Sequence, residues 1–326
     1  MDLSALIRIG GLGIAGSYLL NRLKHEGFDC EGYDPRPDGF LTPCGYAVNW
    51  NVFSKFAVEC ELEPGRYLQA RSNDVIFKNS SGKVSKFRTS GLCTIDKNRF
   101  VNDLVGDIPH IRNTLKSGMN GIIIDATGIS RSLLGPSPGD FTMKTMEYIV
   151  PGTPVKDFLF SYFPSGRGYY WEFPMDGYSH IGAGSDDINM IRESLSAFRG
   201  NRVLSRNIRL APLFDNPVSG NIIGVGEAVG TVSPITGEGI GPSLECAEIL
   251  MEILKNTEEL PEITEKYRQR LKIKFARFRR LFALLERTRR GKLLSLESIA
   301  AIRDVRRDFE NFGIDISLIG LVRSVL

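Results

Sequence analysis

Two glycine-rich blocks, about 200 residues apart, hold the residue types best suited to chemistry in this chain. The first is Gly11-Leu12-Gly13-Ile14-Ala15-Gly16, after an apolar run from Ala5 to Ile9. Its G-x-G-x-x-G spacing permits a tight turn, close approach of backbone to a pyrophosphate and close packing of a following helix. Phosphate charge placed there would face the unpaired N–H groups of a helix N-terminus. Asp34, followed by Pro35 and Arg36, stands 23 positions after Gly11, where a carboxylate can accept ribose hydroxyls. The alternative is that Asp34 only forms the turn before Pro35. The second block is Gly226-Glu227-Ala228-Val229-Gly230, followed by Ser233-Pro234-Ile235-Thr236-Gly237-Glu238-Gly239-Ile240.

These residues need particular elements to hold them. Ala5 to Ile9 reads as a buried strand, and a helix follows from about Ile14 to Glu26 with Leu19, Leu20 and Leu23 facing inward. Gly27 ends that helix as a C′ glycine, and Phe28 to Tyr33 forms the next strand. Asn221 to Val225 is a further short strand, and a second helix runs from about Ile240 to Lys255. A plain nicotinamide cofactor needs only the first block. Two blocks at opposite ends suit a long, two-ended cofactor, for which FAD is the obvious candidate. The alternative for the second block is a set of glycines that only turn a loop.

Around the second block the sequence resembles the glutathione-reductase-type FAD-binding fold, in the branch shared by aromatic hydroxylases and geranylgeranyl reductases. The resemblance implies that Glu227, where that branch usually has Asp, binds the ribityl chain. It also implies that Gly226, Gly237, Gly239 and Ile240 lie along the flavin, with a helix N-terminus near the isoalloxazine. Reduced flavin carries negative charge near N1 and C2=O, which such a terminus stabilises. Three segments resemble the geranylgeranyl reductase family in particular. Pro43-Cys44-Gly45 is similar to its flavin-contact loop. Ile122-Ile123-Ile124-Asp125-Ala126-Thr127-Gly128 is similar to its strand ending in ATG. Gly168-Tyr169-Tyr170-Trp171-Glu172-Phe173-Pro174, with Ile181-Gly182-Ala183-Gly184 after it, is similar to its YxWxFP hairpin. Ile95-Asp96-Lys97-Asn98-Arg99-Phe100 is similar to its DRxxF helix start, with Lys97 in the usual Arg position and Arg99 as a flavin contact.

The resemblance covers roughly residues 5 to 255. It implies an α/β fold: a Rossmann-like, three-layer FAD domain with a parallel sheet, an interleaved, mostly antiparallel substrate sheet, and C-terminal helices. The expected FAD domain takes residues 1–72, 90–136 and 214–256, the substrate domain 73–89 and 137–213, and the helical region 257–326. Asp74 to Lys78 and Val84 to Arg88 read as a hairpin through Ser80-Ser81-Gly82. Glu147 to Ile149, Asp157 to Phe163, Gly168 to Phe173 and Ser179 to Gly184 read as strands of the substrate sheet.

Bulk properties exclude several classes. The 326 residues, 42% hydrophobic and 24% charged, describe an ordinary globular chain with room for a large core. A formal charge of +3 gives no footprint for nucleic acid. Five cysteines without a CxxC pair, and three histidines in unrelated contexts, argue against a disulfide scaffold, a metal site or a Ser-His-Asp arrangement. No signal peptide and no membrane span is evident, so a cytoplasmic protein is expected. From Pro261 onward, Ile263, Tyr267, Leu271, Phe275, Phe278, Phe282 and Leu285 recur at helical spacing, with lysines and arginines opposite. That face is either a solvated basic surface or one that meets anionic lipid headgroups peripherally. A last helix is expected from about Leu296 to Asn311.

The resemblance further implies reduction of isolated C=C bonds in a prenyl chain by hydride from reduced flavin N5. An unactivated alkene needs an apolar, aromatic pocket, and Phe163, Tyr170, Trp171, Phe173 and Pro174 are its candidate lining. Cys44 is the side chain expected nearest the flavin, as a proton source or as packing. The cofactor contacts expected are Gly11 to Gly16, Asp34, Pro35, Arg36, Cys44, Gly45, Arg99, Ala126, Thr127, Gly128 and the residues of the second block. Electrons would come from transient NAD(P)H or a small redox protein. A flavin monooxygenase, or an inactive flavin- or lipid-binding protein, is the competing expectation.

Overall fold

The computed structural model describes residues 6–37, 40–152, 154–291, 296–317 and 320. A six-stranded sheet organises the first half. Its centre is Ile7–Gly10, paired in parallel with Cys30–Tyr33 on one side and Ile122–Asp125 on the other. Ile222–Gly224 extends the sheet beyond Ile122–Asp125, so the strand before the second glycine block joins the sheet that carries the first. Ile122–Asp125 is buried at every position, as a strand covered on both faces must be. The helix Ile14–His25 packs Tyr18, Leu19, Leu20 and Leu23 into the core. It stops at Gly27, whose φ of +80° is left-handed, and Phe28 N–H closes on the Leu23 carbonyl. The helix Ile240–Asn256 lies against it.

The second sheet has eight strands. In spatial order they are Arg202–Arg209, Thr142–Pro151, Tyr178–Ser185, Gly168–Pro174, Phe158–Tyr162, Asp74–Lys78, Val84–Thr89 and Ile314–Asp315. All neighbours are antiparallel except Phe158–Tyr162 against Asp74–Lys78. The α/β class, the parallel sheet, the separate antiparallel sheet and the C-terminal helices are those the sequence leads one to expect. A small third sheet of Ala47–Asn49, Leu68–Arg71 and Leu92–Ile95 was not foreseen. Neither were the two edge strands of the large sheet. Arg202–Arg209 has only three apolar residues among eight, which hides it from an alternation test. One continuous core joins the two large sheets through residues such as Phe53, Phe77, Phe160 and Phe214.

Leu260–Lys274 and Ala276–Arg289 are successive helices that break at Phe275. Ile263, Tyr267, Leu271, Phe275, Phe278 and Leu285 are buried, as their spacing predicts. The opposite face is largely neutralised within the chain. Lys272 and Arg279 reach Asp215, Arg270 reaches Glu252, Lys274 reaches Glu245, and Arg280 reaches Asp304. The helix Leu296–Asn311 follows. Among the described residues no helix is long and apolar enough to cross a membrane, and no group of His, Cys, Asp and Glu could hold a metal ion.

Candidate functional site

The two glycine blocks meet. A Cβ on Gly226, where φ is +65°, would lie 2.9 Å from the Ala15 Cβ. The first turn is equally tight, since a Cβ on Gly16 would come within 1.9 Å of the Gly11 carbonyl oxygen. Gly13 differs, because a Cβ there would meet no protein atom within 4 Å. It faces a cavity of about 1380 Å³, larger than the roughly 300–1,000 Å³ usual for a single small ligand.

At one end of this cavity Asp34 Oδ2 accepts the Leu12 N–H at 2.7 Å. Arg36 folds onto the same carboxylate, with Nε 2.8 Å from Oδ1. Burial pushes the Asp34 carboxyl up, but Arg36 and the backbone N–H donors outweigh it and hold the group below its ordinary range. The Ala126-Thr127-Gly128 turn lies alongside. It is tied down by buried Asp125, whose two oxygens accept from Thr127 Oγ1 at 2.6 Å and from the Leu133 and Leu134 N–H groups at 3.0 and 2.9 Å.

Glu227 lines the middle of the cavity. Its Oε1 accepts the Arg209 N–H at 2.9 Å, and its Oε2 is ion-paired with Arg206. Gly237, at φ +69°, sits under Tyr169, whose hydroxyl donates to the Thr236 carbonyl. Glu238 Oε1 accepts the Gly241 N–H at 2.9 Å inside the start of the Ile240–Asn256 helix. Burial pushes the Glu238 carboxyl up to about 8. Gly45 lies flat on Phe173, only 2.7 Å separating a would-be Cβ from Cδ2.

Cys44 is half-buried in the cavity wall. Its N–H faces Glu147 Oε1 at 3.4 Å, and its carbonyl accepts from His180 Nδ1 at 3.0 Å. Lys97 also lines the cavity at 8% exposure. Burial holds its ammonium below the usual lysine range, and its nitrogen lies 5.1 Å from the Tyr46 ring centroid.

The expected site residues divide accordingly. Gly11 to Ala15, Asp34, Pro35, Arg36, Cys44, Gly45, Ala126, Thr127, Gly128, Glu227, Gly237, Gly239 and Ile240 all line this one cavity. Gly16 and Gly226 lie behind it as packing contacts. Arg99 is displaced from its expected place. It faces a separate outer cleft and its Nη1 donates to the Arg66 carbonyl, while Lys97, two residues earlier, lines the main cavity. Phe163, Trp171 and Phe173 line the cavity, but Tyr170 and Pro174 do not. Strand alternation is the reason: Tyr169, Trp171 and Phe173 share the inner face, and Tyr170 points the other way to donate to Glu172.

Several lining residues escaped sequence reading. Tyr162 and Tyr169 follow from correct strand parity. Glu147 is the lone acid in the apolar run Met146 to Val150, a signal that was present. Arg206 is on the unforeseen edge strand. Leu284, Leu285, Ile302, Val305 and Phe312, from the C-terminal helices and the turn after them, close the apolar end.

No protein-family model matches the chain. Among solved structures, a geranylgeranyl bacteriochlorophyll reductase-like protein of Thermoplasma acidophilum superimposes with a TM-score of 0.71 at 15% identity, over 94% of this chain and 98% of that one. PqsL of Pseudomonas aeruginosa, a probable FAD-dependent monooxygenase, gives 0.67 at 14% identity, over 92% of this chain and 99% of that one. The myxobacterial halogenase CndH, a variant of FAD-dependent halogenases, gives 0.65 at 14% identity, over 94% and 90%. The chain therefore has the fold that these flavoprotein reductases, monooxygenases and halogenases share.

Proposed function

We propose that this protein binds FAD and is an oxidoreductase that reduces carbon–carbon double bonds of an apolar, prenyl-type substrate. The observation that carries the reading is the single cavity, which joins a dinucleotide-type glycine turn to an aromatic and aliphatic end. The fit of the cofactor rests on the chain's own chemistry. Gly13 leaves an opening that any side chain would narrow, next to the N-terminus of the Ile14–His25 helix. Lys97, 8% exposed, presents a buried cation to the same space. Asp34 would hold the ribose once Arg36 yields, and Glu227, steadied by Arg206 and the Arg209 N–H, would face the ribityl chain. When bound, FAD supplies hydride to one carbon of the alkene. Trp171, Phe173 and Phe163 would orient the alkene, and Leu284, Ile302 and Val305 would exclude water from its tail.

The reducing equivalents would come from NAD(P)H or a small redox protein. The neutralised basic face argues for a structural role of the C-terminal helices ahead of lipid docking. The test is reconstitution with FAD followed by anaerobic reduction and addition of geranylgeranyl lipids. Flavin reoxidation with saturated product supports the proposal. Hydroxylated product formed only with O2 replaces it with a monooxygenase, and failure to bind FAD overturns it. Gly13→Ala should leave the fold intact and weaken FAD binding at least tenfold, because its Cβ projects into the cavity alone.

A further inference from the structure

Behind the Cys44 loop is a pair of titratable side chains that cofactor binding does not use. Glu147 and His180 are each 1% exposed, on adjacent antiparallel strands of the large sheet. His180 Nδ1 lies 3.3 Å from Glu147 Oε1 and 3.0 Å from the Cys44 carbonyl. Both of those neighbours are oxygen acceptors when Glu147 is ionised, so Nδ1 carries the proton. Glu147 Oε2 is buried without a hydrogen-bond partner, although the residue lines the main cavity. An orphan carboxylate oxygen at such a site is costly and calls for a function.

The pair stands between two spaces. Glu147 lines the main cavity, whereas His180 lines the outer cleft of about 550 Å³, with Leu41, Tyr46, Asn98 and Asn102 common to both. The cleft is walled by Asp96, Arg99, Asp103 and Tyr178, a polar lining able to hold water. The imidazole is fixed between Tyr46 and Tyr178, at ring-centroid distances of 4.8 and 5.5 Å. Asn98 donates to the Tyr46 hydroxyl at 2.6 Å. These two tilted ring contacts and the Cys44 carbonyl hold Nδ1 toward Glu147.

We infer that Glu147 and His180 form a proton conduit from the outer cleft to the main cavity. The Nδ1 proton of His180 passes to the ionised Glu147 carboxylate while a proton from cleft water joins His180 Nε2. Glu147 then gives its proton to an acceptor in the cavity and is ionised again. The imidazole stays neutral and changes tautomer, and the net change is one proton moved inward with hydroxide left in the cleft. The acceptor, the second carbon of a reduced double bond, rests on the proposed function; the pairing of the two side chains does not. The groups that face the pair are Cys44, Tyr46, Lys97 and Tyr178, with Asp96, Arg99 and Asp103 across the cleft.

The test has two arms. In the cofactor-free protein, 15N-histidine spectra resolve three histidines, with His180 assigned by His180→Asn. The expected result is an Nδ1–H tautomer and at least a tenfold drop in His180 proton affinity in Glu147→Gln. An Nε2–H tautomer or an unchanged affinity overturns the inference. In the FAD-loaded protein, reduced anaerobically, proton uptake on addition of a geranylgeranyl lipid is followed with an indicator dye. Glu147→Gln, which still accepts the Cys44 N–H, should slow uptake at least tenfold at unchanged FAD affinity, with rescue by added formate. Equal rates, or slowing without rescue, overturn it. If Glu147→Gln does not fold, 13C-carboxyl and 15N titrations of the wild type decide: two shared midpoints support coupling, and independent single steps refute it. Protein that takes up no FAD fails the proposed function, while the cofactor-free arm still judges the pair.

Discussion

Glu238 provides a pH-dependent contribution to stability that can be isolated by one substitution. Its carboxyl ordinarily titrates at 4.5 and is pushed up to about 8 by burial in the folded chain. The folded state therefore binds this proton more tightly than the unfolded state. The resulting stabilisation is fully present below pH 4.5 and is lost as pH rises through 8. Each unit of displacement is worth about 1.4 kcal/mol, so linkage between these two values gives a loss of about 3 kcal/mol between pH 5.5 and pH 8. Gln at this position keeps an oxygen for the Gly241 N–H and cannot ionise. Urea unfolding of cofactor-free wild type and Glu238→Gln at both pH values is the assay. The wild type should lose about 3 kcal/mol more than the variant over this interval. Asp308, also raised by burial, acts in the same direction and its charge raises Glu238 further, so Asp308→Asn, with and without Glu238→Gln, separates the two contributions. Equal pH dependence in the two proteins would refute the burial of Glu238 as an acid.

Other perturbations probe the rest of the cavity. Gly16→Ala places a Cβ 1.9 Å from the Gly11 oxygen, so the chain should lose several degrees of Tm in thermal unfolding, unlike Gly13→Ala. Gly182→Ala drives a Cβ to 2.2 Å from Trp171 Cζ2; overpacking should cost about 1–3 kcal/mol by urea unfolding. Ile302→Trp should shorten the apolar end, cutting binding of a long prenyl chain by tenfold or more while sparing FAD affinity, as read by titration calorimetry.

The cofactor half of the site was legible because its constraints are local. A strand, a G-x-G-x-x-G turn, a helix ended by Gly27 and an acid at Asp34 lie within one continuous stretch. The substrate half depends on pairings across distant segments. Tyr170 was preferred to Tyr169 because composition does not fix which strand face turns inward. Arg206 was missed because its strand is polar and lies at an edge. Arg99 stands two residues from Lys97, the cation that lines the cavity, since a resemblance in spacing cannot say which of two nearby basic residues points inward. The helix 296–311 was expected, but its role as a cavity wall emerges only from its packing.

The helix Leu296–Asn311 does more than close the apolar end. Asp308 accepts from Ser233 and Thr236 in the turn after the second glycine block, while Val305 and Ile302, about one and two turns earlier, border the cavity. A long guest pressing on the middle of this rod would thus tug on the loop at its foot.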